Sequence, residues 1–207
     1  YLFWMECYQV PGFQSDMPDY VNKVAGIEGN YEFPYPILFQ AAGLSAWLIG
    51  AKAAMAVTTA LFNLAAVIIT KYYMNREIRK SSHYETLSQK KQVMTDIAVT
   101  LLVFALFLLS NLYSPKNTAF FGFDYAYRCM GIYTPNPFWN ATYLATRPFA
   151  IICFFETVKV LSEYQRDFQW KNCMLFAVSL LLTTMTKPSF TMVVVPLIGL
   201  ILLVQLI

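Results

Sequence analysis

At 207 residues, 57% apolar and 17% aromatic with only 13% charged, and with a positive mean hydropathy, the chain has the composition of a multi-pass membrane protein. That composition excludes an ordinary water-soluble domain. The net charge of +3 excludes little, because its distribution along the chain matters more. The sequence begins at Tyr1 rather than Met and stops at Ile207 inside an apolar run. It is therefore expected to be a fragment, its first helix truncated and its C-terminal remainder absent, and a signal peptide cannot be judged. The four cysteines lack CxxC spacing. Cys153 and Cys173 lie in apolar runs and read as small core residues, whereas Cys7 and Cys129 form a candidate pair beside the favoured reading of separate thiols. A single histidine, His83, leaves no zinc cluster to argue from.

In chain order, Tyr1 to Met5 reads as the tail of a membrane helix, and Glu6 to Glu32 as a loop with Glu6, Asp16, Asp19, Glu28 and Glu32 against Lys23 alone. Within this loop Asp16 to Ala25 predicts a short interfacial helix with Met17, Tyr20, Val21 and Val24 on one apolar face. Pro34 and Pro36 end the loop and predict a sharp re-entry into the membrane. Ile37 to Ile49 is apolar but too short for a hydrocarbon core of about 30 Å. Gly50 interrupts the run, and Ala51 to Thr70 has about the length of a span. The favoured reading is a re-entrant or interfacial helix followed by a spanning one, with a single long bent helix as the alternative.

Lys71 to Gln92 carries Lys71, Arg76, Arg79, Lys80, Lys90 and Lys91 against Glu77 and Glu85. A basic loop of this kind marks the cytoplasmic side, which places the acidic loop outside. Nucleic acid is a poor partner for an ordinary short loop between spans. Val93 to Tyr113 predicts an outward span with Asp96 near its inner end, and Ser114 to Thr146 a second outer loop. Its Tyr133-Thr-Pro-Asn-Pro-Phe-Trp-Asn140 stretch is equally readable as a surface for a sugar ring or lipid headgroup and as an interfacial aromatic belt. Asn140-Ala-Thr142 matches an N-glycosylation sequon, a triplet frequent by chance. Arg147-Pro148 predicts the start of an inward span, since proline suits the first turn of a helix. On that span Glu156 and Lys159 are expected to pair as neighbours, and Glu163 to Asn172 to form an inner turn. Cys173 to Ile207 would measure about 50 Å as one helix. Thr186-Lys187-Pro188-Ser189 is therefore expected to break it into an outward and an inward helix.

On this topology Asp16, Asp19, Arg147, Lys187 and the aromatic loop collect on one side of the membrane. Fixed positive charge there suits the phosphate of a lipid-linked donor. A carboxylate facing it suits general-base activation of an acceptor, or a divalent cation, the candidate cofactor, for which the sequence assigns no ligand set. Together these parts describe transfer of a group from a lipid phosphate carrier.

The arrangement resembles the N-terminal part of a GT-C-type membrane glycosyltransferase, the superfamily of protein O-mannosyltransferases and lipid A aminoarabinose transferases. Asp16-Met-Pro-Asp-Tyr20 is similar to that family's Asp-Glu-x-x-Tyr motif in the first external loop, with Met17 in place of the Glu. Phe33-Pro-Tyr-Pro-Ile-Leu-Phe-Gln40 is similar to its re-entering segment, and Thr186-Lys-Pro-Ser189 to its Thr-Lys-Gly/Pro turn. The resemblance implies an all-α, polytopic transmembrane helical bundle with interfacial or re-entrant helices on the outer face, residues 1–207 being part of one such domain. It implies a polyprenyl-phosphate-linked sugar donor and an inverting transfer to an acceptor on the non-cytoplasmic face, by an integral protein of a bacterial cytoplasmic membrane. Asp16 is then the first choice of catalytic carboxylate and Asp19 the second, with Lys187 and Arg147 binding the donor phosphate. Tyr20, Trp139 and Asn140 are the candidate substrate contacts.

A secondary transporter or lipid flippase is the alternative, since proline-broken helices also surround transporter sites. A membrane-bound polymerase or ligase of surface polysaccharide, or a structural membrane subunit, would show much of the same composition.

Overall fold

A computed structural model describes residues 1–10, 15–27, 34–108, 140–163 and 169–206, with the side chains of His83 and Leu206 left out. All secondary structure in those residues is helical: α1 (Leu2–Cys7), α2 (Met17–Val24), α3 (Ile37–Ile49), α4 (Ala51–Arg79), α5 (Ser82–Glu85), α6 (Gln89–Leu108), α7 (Ala141–Glu163), α8 (Trp170–Thr186) and α9 (Ser189–Leu206). Among them α4 alone is both long and apolar enough to cross a membrane, while α3 and α9 are shorter apolar helices.

α4 and α7 form the centre. α4 packs on α1, α2, α3, α6 and α7, and α7 packs on α8. One core lies where the start of α4 meets the start of α7, and takes in Phe3 and Cys7 of α1, Met17, Tyr20 and Val21 of α2, and Leu38 and Phe39 of α3. A second joins Ala66 of α4 to Val99, Val103 and Phe107 of α6. The fourfold spacing of these last three residues is one helical stripe, and Val93, Ile97, Leu101 and Phe104 on the rest of α6 are exposed.

The expected apolar face of the short acidic-loop helix is present on α2, where Met17, Tyr20 and Val21 are buried. Val24 is partly buried against the same cluster. Its cover is protein: the Tyr20 ring meets Phe39 edge-on at 5.7 Å. The apolar run breaks at Gly50 as expected, and the break is abrupt. Gly50 adopts φ 80°, ψ 153° and serves at once as the C-cap of α3 and the N-cap of α4. This conformation belongs to glycine. An added Cβ would meet nothing within 4 Å, so Gly50→Ala should cost only the backbone strain, about 1–3 kcal/mol, visible as a lower unfolding temperature in detergent.

Three expectations fail in their boundaries. The basic stretch 71–92 is mostly helix rather than loop, because α4 runs on to Arg79 and α6 begins at Gln89. Lys, Arg, Glu and Met are good helix formers, and Arg76 and Arg79 in the last turn of α4 complement the negative end of its dipole. Arg147-Pro148 does not open a span: α7 starts at Ala141 and holds Pro148 in its interior. Such a proline removes one ladder bond, a loss that neighbouring helices make tolerable in membrane proteins. The expected pairing within α7 also gives way to bonds between elements. The Tyr73 hydroxyl donates to Glu156 Oε1 at 2.9 Å, Arg76 Nη1 lies 3.9 Å from the same oxygen, and Lys159 donates to Asn172 Oδ1 at 3.0 Å. The break at Lys187-Pro188 is found where expected, with α8 ending at Thr186 and α9 starting at Ser189. Cys7 carries a buried free thiol, pushed up to about 12 chiefly by burial; Cys129, its candidate partner, lies outside the described residues.

Candidate functional site

Three helix boundaries converge on one cluster. The first is the start of α2. Asp16 occupies the N-cap position without using its carboxylate as a cap, and Ser15 Oγ accepts the Met17 N–H at 3.2 Å.

The second boundary is the start of α7. Asn140 Oδ1 accepts the Tyr143 N–H at 3.1 Å, the side-chain bond expected of an N-cap. A backbone N–H can only donate, so this bond fixes which end of the amide is oxygen. The amide nitrogen is thereby turned to Asp16, where Asn140 Nδ2 donates to Oδ2 at 3.0 Å. Thr142, two residues further along and fully buried, donates its hydroxyl to Asn140 Oδ1 at 2.6 Å.

The third boundary is the turn between α8 and α9. Lys187, half-buried, donates from Nζ to Thr142 Oγ1 at 3.4 Å. A directed series of hydrogen bonds therefore runs from the Lys187 ammonium through Thr142 and Asn140 to the Asp16 carboxylate, each group donating to the next. Bonds arranged head to tail polarise one another and gain strength in a low-dielectric setting. Burial holds the Lys187 ammonium below the ordinary lysine range, while the negative charge of Asp16 draws it partly back. The Tyr20 hydroxyl faces the same cluster: burial and then the Asp16 charge push it up, and hydrogen bonding to Thr142 and Asn140 opposes them.

Of the residues singled out in the sequence, the structure thus brings together Asp16, Tyr20, Asn140 and Lys187. Asp19, also on α2, is exposed. Trp139 lies outside the described residues. Arg147 is engaged elsewhere: its guanidinium lies 5.0 Å from the ring centre of Tyr143 and 5.3 Å from that of Phe107, beside a cavity separate from the cluster. Thr142 is the site residue that sequence reasoning missed. Asn140, a candidate substrate contact in the sequence, gives its amide nitrogen to Asp16. An Asn directly before the Ala141–Ala145 run was readable as a helix cap.

Among the described residues no group of three or more His, Cys, Asp or Glu gathers as a metal site. Chemically, the cluster offers a carboxylate and an ammonium held on one face by neutral linkers. Comparison with protein-family models, with curated proteins and with solved structures finds no match.

Proposed function

We propose that the chain is the membrane part of a glycosyltransferase that moves a sugar from a polyprenyl-phosphate donor to an acceptor on the non-cytoplasmic face. The observation that carries this reading is the Lys187–Thr142–Asn140–Asp16 series, a cation and a carboxylate from opposite ends of the sequence held at one site. In the proposed reaction the acceptor hydroxyl attacks the anomeric carbon. The bond from that carbon to the phosphate oxygen breaks, the acceptor proton passes to Asp16, and the polyprenyl phosphate leaves with its added charge against Lys187. Tyr20 and Asn140 shape the carboxylate's surroundings. Asp16 is also where a divalent cation would be held if one takes part.

A multi-pass arrangement in the membrane is part of the proposal. It is supported by the length and apolarity of α4 and by the exposed side chains of Leu44, Trp47 and Leu48 on α3, Leu101 on α6, Leu181 on α8 and Val193 and Leu203 on α9. Exposed apolar surface on so many helices is expensive in water and neutral in lipid. The direct test is release of polyprenyl phosphate from lipid-linked sugars by the protein in vesicles, with candidate acceptors present. No release with any donor of this class, from protein that is folded and correctly inserted, would overturn the reading.

The lowered proton affinity of Lys187 gives a pH signature. Phosphate binding needs the ammonium, so kcat/KM, which reports the free enzyme, should fall on the alkaline side at a pH below that of an ordinary lysine. Stability moves the other way. Between the lowered folded value and the unfolded value the unfolded chain binds more protons, so stability should rise with pH across that window. Lys187→Arg should shift the alkaline limb of kcat/KM upward, and an unmoved limb would remove Lys187 from phosphate binding.

A further inference from the structure

A cavity of about 430 Å³ lies between α4, α7 and α9, and its wall is almost wholly apolar: Ile151, Phe154, Phe155 and Phe190 line it, with Thr70 at one side. One charged group reaches it, Arg147. Its Nη1 is buried and has no hydrogen-bond partner, although the two flanking rings of Tyr143 and Phe107 hold the guanidinium in place. An unsatisfied guanidinium nitrogen in such surroundings is costly. Its planar fork is matched by a phosphate, which accepts two parallel bonds. The volume falls within the range of small-ligand sites. The wall is greasy and the one strong donor group is cationic, so the ligand it fits is an apolar chain ending in an anion.

We infer that this cavity binds an anionic amphiphile, a hydrocarbon chain carrying a phosphate, with the chain against Phe154, Phe155 and Phe190 and the phosphate on Arg147. The site is distinct from the Asp16–Lys187 cluster. Tyr143, Thr146 and Arg147 of α7 border the cavity, and its wall takes in none of Asp16, Asn140, Thr142 and Lys187. It goes beyond the proposed transfer reaction and does not depend on it, since a resident membrane phospholipid and a carrier lipid share this chemistry.

Native mass spectrometry of the delipidated chain in detergent tests the inference with three probes: phosphatidic acid, polyprenyl monophosphate and neutral phosphatidylcholine. Either phosphate monoester should bind at least tenfold more tightly than phosphatidylcholine, and the two together identify the source of the ligand. Binding of phosphatidic acid marks a resident phospholipid, and binding of polyprenyl phosphate alone marks the carrier. Arg147→Gln should abolish the preference. Ala150→Phe, which fills the cavity and leaves the charge, should weaken both anionic lipids. Polyprenyl phosphate can also meet Lys187 at the proposed transfer site, so the two sites are separated with phosphatidic acid, whose preference over phosphatidylcholine should survive Lys187→Gln. Equal binding of neutral and anionic lipids by the wild type, or a preference that survives both Arg147→Gln and Ala150→Phe, would overturn the inference. So would a phosphatidic acid preference that is lost in Lys187→Gln and kept in Arg147→Gln.

Discussion

Asp16→Asn is expected to lower sugar transfer by about 10²–10⁴-fold, the contribution typical of a general base, with little change in stability. The substitution keeps a carbonyl oxygen where Asn140 Nδ2 now donates, and the start of α2 does not use the Asp16 side chain as a cap. What disappears is the negative charge and the capacity to take a proton. The loss should fall on kcat, with the KM for donor nearly unchanged, because in the proposed reaction the carboxylate serves the acceptor and Lys187 the phosphate. Asp19→Asn supplies the contrast: Asp19 is exposed, and its loss should leave turnover close to wild type. The measurement is initial rate in vesicles against donor concentration for both variants. Wild-type turnover by Asp16→Asn would end its assignment as base, and a large loss in Asp19→Asn would move that role along α2.

The largest effect on stability is expected at Glu156. This carboxylate is 2% exposed. It is held by the Tyr73 hydroxyl at 2.9 Å, with the Tyr73 ring stacked on Phe155 at 4.6 Å. Glu156→Ala removes the acceptor, strands a buried hydroxyl and leaves a void, and should cost about 2–4 kcal/mol. Arg76 adds little to that figure, since it stands 3.9 Å away and is partly exposed, where screening weakens a pair. Glu156→Gln keeps a carbonyl oxygen for Tyr73 and should cost only about 1 kcal/mol. Unfolding in detergent with added denaturant would rank the two. Equal stabilities of the two variants would mean that neither an acceptor for Tyr73 nor the filled volume contributes measurably at this position.

How much of this was legible in the sequence depended on whether the signal was local. Gly50, the Lys187-Pro188 break and the apolar face of α2 each follow from a residue's own backbone preference or from a short periodicity, and all three appear where the sequence put them. That Asp16 and Lys187 lie near one another was expected from the sidedness of charged segments, a coarser argument, and the structure links them through Thr142 and Asn140. The start of α7 was misplaced because proline at a first turn and proline tolerated inside a helix look the same in one sequence; Asn140 as cap was the better local signal. Arg147 was grouped with Lys187 by charge and by the expected side of the membrane, and neither tells which face of α7 a residue occupies until the helix's first residue is known. The link through Thr142 depends on contacts between three helix ends, and no periodicity encodes those.

The series from Lys187 to Asp16 also acts as insulation. Had the ammonium met the carboxylate directly, each would have quenched the other: the lysine would have spent its charge on the aspartate, and the aspartate would have been a poor proton acceptor. Two neutral side chains, Thr142 and Asn140, keep the ions apart while fixing the orientation of both. In the proposed reaction the ammonium would meet the donor phosphate and the carboxylate the acceptor hydroxyl.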